Sequence, residues 1–126
     1  MKRLPVLLVG LLLPLIAVAQ QPVSGNLLVA TAALDDPTFI ETVVLLVHYG
    51  EDGAIGIFLN RPTWVDGADV NPELQPLNER TRAVYFGGPV AMTRILALHN
   101  RDLESENTTR ILDSVYMTAD LSLLAD

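Results

Sequence analysis

Between Gly25 and Pro62 the chain reads GNLLVATAALDDPTFIETVVLLVHYGEDGAIGIFLNRP, and its apolar positions fall into strand-length blocks. Asn26–Ala30 predicts a first strand. Glu41–Tyr49 has apolar residues at successive positions, which predicts a strand buried on both faces. Gly50-Glu51-Asp52-Gly53 is a turn, and Ala54–Leu59 predicts the returning strand of an antiparallel hairpin. Gly56 lies inside that second strand, where a glycine marks a bulge or the close approach of a neighbouring backbone. Asp35-Asp36-Pro37 punctuates the two blocks. Asp36 can cap a helical turn with Pro37 at its first position, since proline lacks the N–H that would be unpaired there. That reading is preferred to acid–base or metal chemistry at the adjacent carboxylates.

Past Pro62 the pattern loosens. Gly67, Pro72 and Pro76 leave room for at most one short helix, near Ala68–Leu74. Ala83–Phe86 predicts another strand, running into Gly87-Gly88-Pro89. Ile95–His99 predicts a fifth strand, Asn100–Thr109 a polar loop, and Val115–Thr118 a sixth strand. Ala119–Leu124 predicts the start of a helix. The 126 residues hold one domain, with no internal repeat.

The first 19 residues need separate treatment. Lys2 and Arg3 precede the apolar run Leu4–Ile16, and Ala17-Val18-Ala19 is a small-x-small cleavage pattern. This is the layout of a secretory signal peptide over residues 1–19. An uncleaved anchor is the alternative, but 13 residues at ~1.5 Å each reach only ~20 Å, short of a ~30 Å bilayer core. The expected location is therefore periplasmic or secreted, with residues 20–24 as a short tether and no membrane insertion after cleavage. Loss of Lys2 and Arg3 takes the formal charge from −7 to −9. The six remaining cations are all arginines and are scattered, so direct nucleic-acid binding, which needs clustered positive charge, is not expected. The chain has no cysteine, which removes disulfides, thiol catalysis and thiolate metal sites.

Several blocks in order, GNLLVATAALDDPTF, VVLLV, GAIGIFLNRP, VYFGGPV, LALH and SVYMTADLSLL, resemble the AlgH/YqgE family of bacterial proteins. The resemblance covers Gly25 to about Leu124. It implies an α+β fold with a strongly bent, barrel-like mixed sheet flanked by short helices. It implies no activity: the family has none established, and its label of transcriptional regulator comes from a link to alginate production. Family members usually lack a signal peptide and are taken as cytoplasmic, which is the alternative location. They commonly carry a basic residue where this chain has Glu41-Thr42. They usually read Asp-Arg-Gly-Phe after the GGPV block, where this chain has Thr93-Arg94-Ile95-Leu96. They continue into a further strand and helix with a Gly-Tyr-Ala-Gly-Trp block. On that basis residues 25–126 are expected to form the family domain without its last strand and helix, as a truncated reading frame or a reduced paralogue. An unpaired sheet edge left in this way would favour self-association.

Candidate chemistry is sparse. Asn60-Arg61-Pro62 ends a strand. Turn chemistry alone explains Asn and Pro there, whereas the functional alternative uses Arg61 as a fork for a carboxylate or phosphate. Gly87 and Gly88 could expose backbone N–H groups to an anion or simply form a tight turn. Arg94 follows within a few residues and adds a second cation. A ligand site, if present, is therefore expected where Asn60 and Arg61 approach Gly87 and Gly88, with Arg94 nearby. His48 and His99 are the only histidines, and each is read as a core histidine hydrogen-bonded through its ring, not as a metal ligand. Trp64 is a core anchor or a cleft cover. No serine sits in a nucleophile elbow. No catalytic residue, metal or cofactor is expected. The first expectation is a non-catalytic binding or regulatory protein acting through contacts with a protein partner. The runner-up is a small-molecule or anion-binding domain, with hydrolysis as its catalytic variant, and direct transcriptional control stands third.

Overall fold

A computed structural model describes residues 21–125; the expected signal peptide and the first tether residue lie outside them. The domain is mostly sheet. In chain order the strands are β1 (Leu27–Val29), β2 (Val43–Gly50), β3 (Gly53–Phe58), β4 (Pro62–Asp66), β5 (Ala83–Tyr85), β6 (Ala97–His99), β7 (Thr108–Leu112) and β8 (Val115–Thr118). One helical turn, α1 (Gly67–Val70), and two 3-10 turns, Pro72–Leu74 and Leu121–Leu124, complete it. The strands form three ladders, β1-β2-β3, β4-β5 and β6-β8-β7. Every pairing is antiparallel, and the ladders do not close into a barrel. The mixed, barrel-like sheet implied by the resemblance is therefore not the arrangement of the described residues.

The β2–β3 hairpin forms as its pattern predicts, closing on Gly50–Gly53. Its strand is buried on both faces over Leu45, Leu46 and Val47 and exposed beyond them. Leu45 and Val47 pack with Ile111 of β7 in the principal core cluster. Phe58 is buried on the other face, edge-on to Phe39 and Phe86 with ring centroids 5.6 and 5.9 Å away. The irregularity in this hairpin sits on β2: Leu46 pairs with Gly56 and His48 with Ile55, so Val47 is the extra residue. Gly56 stands opposite the bulge. A Cβ there would lie 2.5 Å from Val44 Cγ1, so the close neighbour is a side chain and not a backbone.

Two strands escape the sequence pattern. β4 opens with a proline, tolerated at a strand's first residue, and its Thr-Trp-Val core has strong strand propensity. β7 begins inside the segment read as polar loop. Its signal was the β-branched Thr108-Thr109 pair and the two-residue Asp113-Ser114 connection to β8. The expected helix near Ala68–Leu74 splits at Pro72. Asp66 caps α1 by accepting from Ala68 N at 2.9 Å, and Asn71 caps the following 3-10 turn by accepting from Glu73 N at 2.9 Å. Asp36 likewise caps a single turn, accepting from Thr38 N at 2.8 Å. The C-terminal helix is only the 3-10 turn Leu121–Leu124. No helix among the described residues is long and apolar enough to cross a membrane.

Candidate functional site

The Asn60-Arg61 turn does approach Gly87. Phe58 N donates to Gly87 O at 2.9 Å, and Phe86 N donates to Arg61 O at 2.8 Å, which prolongs the β4–β5 ladder toward β3. The side chains of the turn face elsewhere. Asn60 Oδ1 accepts from Val43 N at 2.9 Å while its Nδ2 donates to Glu41 O at 2.8 Å. Arg61 donates to Thr38 O and Ile40 O, both at 3.0 Å, and to Thr42 Oγ1 at 2.8 Å. Its guanidinium carbon lies 5.5 Å from the centroid of the Phe58 ring, within cation–π range. Together the two residues form a clasp on the loop that leads into β2. The clasp holds Glu41 at φ 54°, a left-handed conformation that costs a non-glycine residue energy. All three contacts are made by Nη2, so this nitrogen is turned to the loop, while Nε and Nη1 have no protein partner among the described residues.

Gly87 and Gly88 line a groove of about 310 Å³ whose walls are apolar, including Phe39, Phe58, Pro89 and Val90. Gly88 has φ 141°, which fits a glycine turn. No cation lines this groove. Arg94 is exposed, and among the described residues its side chain makes no hydrogen bond or ion pair. It borders a different hollow of about 350 Å³, together with His48 and Thr109 over an apolar floor. Among the described residues, Gly87 and Gly88 line one hollow and Arg94 another, while Asn60 and Arg61 clasp the loop beside Phe58, which itself lines the first.

The histidines also depart from expectation. His48 is half exposed and its Nε2 meets Asp52 Oδ1 at 2.8 Å across the hairpin turn. That hydrogen bond holds the Asp52 carboxyl below the usual carboxylate range. His99 stacks on Tyr116 at 5.8 Å between ring centroids, but its buried ring nitrogens have no hydrogen-bond partner among the described residues. Trp64 neither anchors a core nor covers a cleft: it is wholly exposed. Arg82 is the strongly paired cation. Its Nε donates to Asp66 Oδ1 at 2.6 Å, which lowers the Asp66 carboxyl and raises the guanidinium. No group of three or more potential metal ligands occurs among the described residues.

The AlgH-like family model matches residues 27–126. A UPF0301 protein of Ruegeria pomeroyi is 34% identical over 108 residues, which is 82% of this chain and 59% of the relative. One from Streptomyces coelicolor is 44% identical over 75 residues, covering 60% and 39%. The chain thus spans between about two fifths and three fifths of the length of these relatives. The solution structure of the AlgH protein from Pseudomonas aeruginosa superposes with a TM-score of 0.61 at 30% identity, covering 81% of this chain and 58% of that one. A crystal structure from Corynebacterium diphtheriae shares the fold, with a TM-score of 0.69 at 24% identity over 79% of this chain and 55% of that one. With the model matched over almost all of the described domain, the chain belongs to the AlgH-like family.

Proposed function

We propose that the chain is a non-catalytic binding protein whose contacts are made with polypeptide at an exposed strand edge. One observation carries this reading. At the Asn60-Arg61 turn the Asn60 amide and Arg61 Nη2 are engaged by the loop entering β2, while Leu27, Leu28 and Val29 of the edge strand β1 stand in solvent. β1 pairs only with β2, so its outer backbone groups have no strand partner among the described residues. The strand is short, which limits edge pairing, but it carries no charge, proline or bulge to oppose it further. The occupant we assign is β1 of a second copy. An antiparallel pair about a twofold axis sets like apolar side chains against each other, and the strand has no charge to repel its copy.

Sedimentation equilibrium tests this. The full chain is expected to show a concentration-dependent dimer, and Val29→Lys, which places a charge on the edge, is expected to remain monomeric with an unchanged unfolding midpoint. A wild-type chain that stays monomeric throughout the micromolar range overturns the assignment. Export remains part of the proposal: cleavage after Ala19 would leave Gln20 as the N-terminus of envelope protein, readable by intact mass.

A further inference from the structure

The hollow beneath Arg94 lies where the β2–β3 face meets the β6-β8-β7 ladder. Its floor is Val47, Ile55, Leu96 and Met117, and Arg94, His48 and Thr109 complete its lining. It continues the seam in which Leu45 and Val47 pack against Ile111. Where that packing ends, the seam opens instead of closing on a further core side chain.

The β2 bulge is what builds the polar side of the hollow. In a regular strand Val47 and His48 would point to opposite faces. Leu46 still faces the Phe58 side, opposite Gly56. The extra residue at Val47 returns His48 to the face of Val47, opposite Ile55, so both line the same space. Re-aiming a side chain next to a site is a recurrent use of such bulges. Asp52 then holds the imidazole through Nε2 at 2.8 Å.

We propose that this hollow binds a small monocarboxylate with an apolar body, its carboxylate on the Arg94 guanidinium and its body against Val47, Ile55, Leu96 and Met117. Three features select that class. The volume of about 350 Å³ sits at the lower end of small-molecule sites, which run from about 300 to 1,000 Å³ and are mostly apolar with a few placed polar groups. Arg94 has no partner among the described residues, so its planar fork is available to a carboxylate. The Asp52 carboxylate behind His48 and the chain's charge of −7 disfavour dianions such as phosphate. This site is separate from the β1 edge, and either assignment can fail without the other.

The test uses the full chain with hexanoate as probe, and acetate and hexanol as its two halves. Hexanoate is expected to raise the unfolding midpoint in a concentration-dependent way, and each half to do so less. Arg94→Gln is expected to weaken hexanoate about tenfold, the loss of one charge-assisted hydrogen bond. Arg80→Gln, at another exposed arginine, should leave it unchanged. Amide NMR shifts should centre on Val47, His48, Leu96 and Thr109. No hexanoate effect, equal effects in both arginine variants, acetate matching hexanoate, or shifts centred elsewhere would each overturn the proposal.

Discussion

Arg61 and Arg94 each sit a few residues beyond an apolar strand and a turn, yet the two regions treat the same side chain in opposite ways. At the Asn60-Arg61 turn every polar side-chain contact goes to the loop entering β2, and the guanidinium lies beside the Phe58 ring. At the hollow beside β6, Arg94 is held by nothing among the described residues and borders an apolar floor. What the contrast teaches is that residue type and position at a strand end do not distinguish a structural arginine from one available to a ligand. The distinction lies in whether unsatisfied carbonyls stand within reach. The tight turn from Asp36 to Thr42 leaves Thr38 O without another partner among the described residues and Ile40 O with only the Thr42 hydroxyl at 3.1 Å, and Arg61 donates to both.

The largest effect that separates the regions is therefore on stability. Arg61→Ala removes a cation from three oxygens, one of them on Thr42, which is only 2% exposed. Hydrogen bonds to charged groups contribute about 1.5–3 kcal/mol each but do not add. Urea unfolding of Arg61→Ala should fall by about 2–3 kcal/mol, with Arg61→Lys losing less, while hexanoate affinity holds. A midpoint equal to wild type would place Arg61 back among the ligand candidates.

Arg82 provides the intermediate case, an arginine committed to a carboxylate. Asp66 both caps α1 and accepts from Arg82, with side chains 36% and 18% exposed. Its carboxyl is held below the ordinary value of about 3.9, so its contribution is present in full above that value and is lost as pH falls through the folded one. Asp66→Asn keeps a capping oxygen and removes the charge. The stability gap between wild type and Asp66→Asn should stay constant from about pH 5 to 8 and close below about pH 4. Partial exposure keeps that gap small. A gap that persists unchanged in acid would mean the cap, and not the ion pair, is what the substitution disturbs.

Much of the architecture could be read from the chain, and what was missed has physical causes. The β2–β3 hairpin was legible because a run of apolar residues meets a Gly-bounded turn, and both signals are local. β4 and β7 were not, because Pro62 and the polar Asn107-Thr108-Thr109 stretch look like loop until their partners β5 and β8 are in place. The site fared worse. The sequence brought Arg61 near Gly87, which is correct for the backbone, but the direction of a guanidinium depends on carbonyls some twenty residues away. The expectation of a core His48 rests on its place near the end of an apolar strand, but burial along β2 stops at Val47. The one-residue bulge at Val47 turns His48 to the face of Val47, and the only residue signal for it was Gly56, which stands opposite the bulge but on the partner strand.

The smallest expected effect is the sharpest test of the contrast. Arg94 is exposed and bonded to nothing among the described residues, so its removal creates no unsatisfied partner. Arg94→Gln should change the free energy of unfolding by no more than about 0.5 kcal/mol, the range of surface substitutions away from special features. It also relieves no crowding, since the hollow is open beside it. A loss well beyond that range would show that Arg94 supports the fold, and its lost ligand affinity would then carry no meaning. A near-zero change in stability combined with weaker hexanoate binding is the pattern that only an uncommitted arginine produces. Arg61→Ala is expected to give the reverse, a large loss of stability with binding intact. The two variants together therefore separate holding the chain from holding a ligand in a way neither does alone.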